Sequence, residues 1–99
     1  MPRPTRLTDA EVAVRLRVLP GWSLEGGKLH RAFSFTDFVE AWAFMSAVAL
    51  VAEATGHHPE WSNVWNRVTV DLTTHDAGGV TALDFDLAAR MQALAARAA

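Results

Sequence analysis

Residues 36–56 read TDFVEAWAFMSAVALVAEATG, and the reading of this run decides the fold. Thr36 or Ser34 is placed to cap a helix at its start. Gly56 is placed to stop it, because glycine takes up left-handed backbone at little cost. Phe38, Trp42, Met45 and Ala49 fall on one apolar stripe, and Ala41, Phe44, Val48 and Val51 on a second beside it. A helix on the outside of a small domain needs one such stripe for its own core. The second, around Phe44 and Val48, therefore predicts burial against another subunit. Its most apolar part, Ala41 to Ala52, is interrupted by Ser46 and falls short of the roughly 20 residues that span a bilayer. A buried helix is expected rather than a membrane segment.

On the N-terminal side, Thr8 reads as an N-cap with Glu11 closing a capping box and Leu7 stapling onto Val12. Val12, Leu16 and Leu19 share one face up to Pro20-Gly21, where this first helix is expected to end. Trp22 to Leu24 and Leu29 to Phe35 read as two strands joined at Gly26-Gly27. Beyond the long helix, Pro59 breaks the chain away. Trp61–Trp65 and Val68–Thr74 then form a predicted hairpin turning near Asn66-Arg67, with Val68, Val70 and Leu72 on its inward face. After the loop Ala77-Gly78-Gly79, Thr81 and Asp84 cap a last helix bearing Leu83, Leu87, Met91 and Leu94 on one side. The order helix, two strands, helix, two strands, helix with short hairpin links predicts an α+β two-layer sandwich. It has a four-stranded antiparallel sheet and three helices on one face.

The chain has 99 residues, which is room for one domain spanning 1–99 with a single core. An apolar fraction of 51% with four tryptophans supplies that core, and 20% charged residues are too few for disorder. A formal charge of −2, with arginines scattered from Arg3 to Arg97, does not favour direct binding to nucleic acid. The absence of cysteine rules out disulfides, thiolate nucleophiles and thiolate metal sites together. No apolar stretch of the secretory kind follows Met1-Pro2-Arg3-Pro4-Thr5-Arg6, so a cytoplasmic location is expected.

Chemistry is most concentrated at Glu53-Ala54-Thr55-Gly56-His57-His58-Pro59, a carboxylate and two imidazoles at the exit of the long helix. His75 follows the last strand, and if that hairpin packs beside the helix the three imidazoles share one pocket. Imidazole, with an ordinary pKa of roughly 6.5, both gives and takes protons near neutrality. Taken singly, each residue has a plainer reading. His57-His58-Pro59 is then a solvated helix exit, His75 a loop histidine, Glu53 a solvated helix residue and Asp84 a capping carboxylate. Trp22, Trp42, Trp61 and Trp65 are then core, and His30 is assigned no role. Metal binding is not expected, because adjacent histidines chelate poorly from one helix face. Serine-nucleophile and phosphate-loop motifs are absent.

Taken together, Glu53-x-x-x-His57-His58-Pro59, Trp65, His75 and Asp84 resemble the signature of the pterin-4a-carbinolamine dehydratases. The resemblance extends through Gly21-Trp22, Phe33-x-Phe35-x-Asp37-Phe38 and Pro59-Glu60-Trp61-x-Asn63-Val64-Trp65-Asn66, and so covers most of the chain. It implies an enzyme that dehydrates 4a-hydroxytetrahydropterin to quinonoid dihydropterin, recycling the pterin of an aromatic amino acid hydroxylase without metal or organic cofactor. By similarity, His57, His58 and His75 are the acid, base and pterin-contacting groups, and Glu53 and Asp84 are the supporting carboxylates. His57-His58-Pro59 and Thr74-His75-Asp76-Ala77 line the pterin site by the same similarity, with Trp22 in its wall. Gly56 departs from relatives that carry an acidic residue before the first histidine. Some animal relatives also serve a transcription factor through the long helix, whereas the alanine- and arginine-rich composition here looks bacterial. A homodimer or homotetramer is the expected assembly. The competing reading is an oligomerisation or partner-binding module built on the long helix; a weaker one is a metalloprotein.

Overall fold

The computed structural model describes residues 4–98; Met1, Pro2, Arg3 and Ala99 lie outside it. The first helix, α1 (Asp9–Leu16), starts as its capping box dictates: Thr8 Oγ1 accepts from Glu11 N–H, and Glu11 Oε1 accepts from Thr8 N–H at 2.9 Å. It ends at Leu16, short of the expected Pro20-Gly21. Val18 and Leu19 donate to Arg15 and Leu16, three residues back, and this tighter winding still turns Leu19 into the core.

Strands β1 (Ser23–Glu25) and β2 (Lys28–Ser34) pair antiparallel around Gly26-Gly27. Both glycines have positive φ, 58° and 77°, as a two-residue hairpin requires. The long helix α2 (Phe38–Thr55) is capped by Asp37 rather than by Thr36 or Ser34. Asp37 Oδ1 accepts from Glu40 N–H at 2.9 Å, while Glu40 Oε1 reaches back to Thr36 N–H at 3.0 Å. Ser34 is the last residue of β2 and stays in the ladder.

Strands β3 (Glu60–Val64) and β4 (Arg67–Leu72) form the second hairpin. It turns at Trp65-Asn66, one residue before the predicted position, with Trp65 at φ 50°. Asn63 Nδ2 donates to the carbonyls of Trp65 and Arg67 and holds that bend, and Asn66 exchanges hydrogen bonds with the backbone of Phe35. A short 3-10 helix, η1 (His75–Ala77), replaces part of the expected loop, and α3 (Ala82–Ala98) closes the chain.

The sheet order is β1-β2-β4-β3, antiparallel throughout. Among the described residues, three α-helices accompany this four-stranded sheet, an α+β sandwich as predicted. Leu29, Phe33, Val68, Val70 and Leu72 face the helices, where they meet Phe44 and Val48 of α2 and Leu87, Ala88 and Met91 of α3. Alternation in β4 is complete: Val68, Val70 and Leu72 are wholly buried.

The two stripes of α2 take the roles opposite to those expected. Ala41, Phe44, Val48 and Ala52 supply the core, while Phe38, Val39, Trp42 and Leu50 stand exposed. With 18 residues, α2 is long and apolar enough by length and composition to cross a membrane. One stripe of it is nonetheless committed to this core.

Candidate active site

Gly56 adopts left-handed backbone (φ 69°) at the end of α2, and its N–H and that of His57 return to the carbonyls of Glu53 and Ala52. That cap reverses the chain and turns His57 toward the start of α3. There His57 Nε2–H donates to Asp84 Oδ1 at 2.6 Å. Asp84 is completely buried, and its second oxygen accepts from Thr81 N–H and Thr74 Oγ1–H, both at 2.8 Å. Thr74 has a single hydroxyl hydrogen, spent on Asp84, so the 2.8 Å contact with Thr81 Oγ1 is donated by Thr81. A buried carboxylate is tolerated only when its lone pairs are satisfied. Asp84 meets that condition with one donor from each of α2's exit, β4's exit and α3's cap. Its capping role is therefore real and is only half of its work.

The other two imidazoles are held in the same manner but in the open. His58 Nε2 donates to Glu53 Oε1 at 2.9 Å, between two exposed side chains. His75, at the start of η1, donates from Nε2 to Glu60 Oε2 at 3.0 Å. Glu60 is held below the ordinary carboxylate range chiefly by its hydrogen bond from Lys28, with His75 adding to the effect, and Lys28 is raised in turn by Glu60. Ionised carboxylates only accept, so each of the three rings carries its hydrogen on Nε2. Nδ1 is left as the nitrogen that no carboxylate engages.

His57, His58 and His75 line one open cleft of about 400 Å3, with Pro59, Thr73, Thr74 and Asp76. The bridge between Thr74 and Gly79 fixes where η1 begins, and so where His75 stands. The juxtaposition expected from the sequence is therefore realised. Two expected lining residues are not in it. Trp22 is a core residue: its ring meets Phe33 edge-on at 5.9 Å and its indole N–H donates to Gln92. Ala77 ends η1 and is not among the residues that line the cleft. His30 is on β2, bonded to Asp71 at 2.9 Å and outside the cleft. Among the described residues no group of three histidine, aspartate or glutamate donors is gathered as a metal would need.

Sequence reasoning missed Glu60, the partner of His75. Nothing local signals that pairing, since Glu60 opens β3 and His75 opens η1, 15 residues further on. Lys28 was not reachable, since it meets Glu60 only because β2 and β3 flank β4.

Comparison with known proteins places the chain in a family. Residues 5–94 match the family described as Pterin 4 alpha carbinolamine dehydratase. Relatives in Solibacter usitatus (strain Ellin6076) and Rhodopseudomonas palustris (strain BisB18), each named "Putative pterin-4-alpha-carbinolamine dehydratase", are 56% and 57% identical. The first alignment covers 93% of this chain and 97% of the relative, the second 93% of both. The crystal structure of a transcriptional coactivator/pterin dehydratase from Brucella melitensis superposes with a TM-score of 0.89 at 47% identity, over 92% of this chain and 99% of that one. A pterin dehydratase-like protein identified as a RuBisCO assembly factor in the alpha-carboxysome superposes at 0.66 with 29% identity, over 76% and 89%. On sequence and fold alike, the chain belongs to the pterin-4a-carbinolamine dehydratase family.

Proposed function

We propose that the protein dehydrates a 4a-hydroxytetrahydropterin to the quinonoid dihydropterin, in the recycling of pterin used by an aromatic amino acid hydroxylase. One observation carries this reading: the adjacent imidazoles of His57 and His58 and the distant one of His75, each oriented by its own carboxylate, line a single cleft. The reaction breaks the C4a–O bond, removes the proton on N5 and forms the C4a=N5 double bond. Oxygen leaves as water and no electrons are exchanged with a partner. The chemistry needs an acid at the departing hydroxyl and a base at N5, and two imidazoles in different protonation states divide that work. No metal or organic cofactor is called for. Asp76 offers a carboxylate to the N–H donor edge of the ring.

The test is the rate of carbinolamine dehydration followed by absorbance, without added metal. His57→Ala and His75→Ala should each slow the reaction by roughly 10²- to 10⁴-fold. Full activity in both variants would sink the proposal.

A second proposal concerns assembly. Val39, Trp42, Ala43, Ser46, Ala49 and Leu50 form an exposed face of α2 without a charged residue, and its small members let a second helix approach closely. A further copy of the chain is the occupant that suits such an uncharged face. Light scattering that finds a monomer at micromolar concentration would remove this reading. An oligomer with no dehydratase activity would instead favour a partner-binding module, in keeping with the coactivator and the assembly factor among the structural neighbours.

A further inference from the structure

A second hollow of about 340 Å3 opens beside the histidine cleft and shares Thr73 and His75 with it. Its walls are two glycine pairs, Gly26-Gly27 and Gly78-Gly79, and two cations, Arg6 and Lys28. Lys28 reaches this position through the sheet register. Leu29 pairs with Leu72, which sets Lys28 beside Thr73. Gly26, Gly27 and Gly78 have positive φ, and a Cβ at any of them would meet nothing within 4 Å, so the space above these turns is open. Gly79 is different. A Cβ there would lie 2.8 Å from Arg6 Nε, so the arginine side chain rests on bare backbone. The next residue, Leu7, donates its N–H to Val80 at 2.9 Å and anchors the segment that carries Arg6.

The charges around the hollow do not cancel. Lys28 is paired with Glu60, and Asp76 stands on the histidine side. Arg6 has no carboxylate within 4 Å among the described residues. A guanidinium without an acid, set in a concavity that continues a substrate cleft, is matched to an anion.

We propose that this hollow receives the side chain of the pterin, and that the preferred substrate carries a negative charge there, as a phosphate ester or a carboxylate. The inference rests on the dehydratase reading and adds the substrate class. The heterocycle occupies the histidine cleft, its substituent passes Thr73 and His75, and the anion meets Arg6 with the spare N–H donors of Lys28.

Three 4a-hydroxytetrahydropterins differing only in the side chain test it: an uncharged polyol, its phosphate monoester and a carboxylate-bearing chain. The wild-type protein should favour one or both anions by roughly fivefold to tenfold in kcat/KM, the size expected of one exposed charge-assisted contact. The advantage should lie in KM and shrink with added salt. Arg6→Gln, at an exposed position, should bring the ratio close to one, and Arg6→Lys should restore most of it. Whichever anion is preferred names the side chain. Equal kcat/KM for all three substrates in the wild type overturns the inference, as does a preference that survives Arg6→Gln, and either result leaves the dehydratase reading standing. Failure to dehydrate any of the three overturns both.

Discussion

Replacing Asp84 by asparagine preserves shape and changes one atom from acceptor to donor, at a carboxylate whose oxygens take three hydrogen bonds. The carboxamide has two ways to sit. Turning its NH2 toward Thr81 N–H sets donor against a backbone donor that cannot be reoriented. Turning it toward His57 sets donor against an imidazole nitrogen, which can respond by moving its hydrogen from Nε2 to Nδ1. The second arrangement costs less and is the one expected. Its stability cost is the exchange of three charge-assisted bonds for neutral ones, about 1 kcal/mol each less the desolvation that a neutral amide is spared, and so about 1.5–3 kcal/mol in all. For a domain of this size that lowers the melting temperature by roughly 10 °C. Its functional cost is larger. His57 is then held as the wrong tautomer for the proposed chemistry, with the hydrogen on the nitrogen that would exchange protons with substrate. A tautomer error of this kind costs about 10⁴ in a Ser-His-Asp triad, and roughly 10²- to 10⁴-fold in kcat is expected here. Stopped-flow absorbance gives the rate, calorimetry the melting point, and ¹⁵N chemical shifts of the ring the tautomer. An Asp84→Asn protein with wild-type kcat, or one that loses activity while His57 keeps its hydrogen on Nε2, would refute the reasoning.

Gly56→Ala places a methyl group where nothing lies within 4 Å, so its cost is the left-handed backbone alone, about 1–2 kcal/mol. Calorimetry should show melting roughly 5–10 °C lower, and His57, which follows the cap, should shift in NMR spectra. Glu60 titrates below its ordinary carboxylate value of 4.5, so its hold on His75 is complete above that value. The hold is lost as pH falls through the lower folded value; a proton titration of the His75 ring should record that step, and Glu60→Gln should abolish it.

The sequence carried the order of elements because its punctuation is local. Thr8 with Glu11, Gly26-Gly27, Gly56 and Thr81 with Asp84 each act within a few residues of themselves. Errors arose where two neighbours compete for one job or where tertiary packing chooses. Asp37 outcompetes Thr36 as the cap because Glu40 then reaches back to Thr36 N–H. Nothing within α2 distinguishes its two apolar stripes; the packing of α2 on β4 and α3 selects Ala41, Phe44 and Val48 for the core. Trp22 was misread as a pocket wall because its indole partner, Gln92, is 70 residues away. At the site, the histidines and Glu53 were legible from residue type and spacing. Spacing alone gave only the capping half of Asp84's role; the other half came through the family resemblance, since its two oxygens serve different elements.

The amide of Thr81 ends on a carboxylate that solvent does not reach. Deuterium can replace its hydrogen only after the last helix swings clear, and that same excursion strips His57 of its tether. That backbone position thus becomes a clock for how often the proposed catalytic apparatus comes apart at rest.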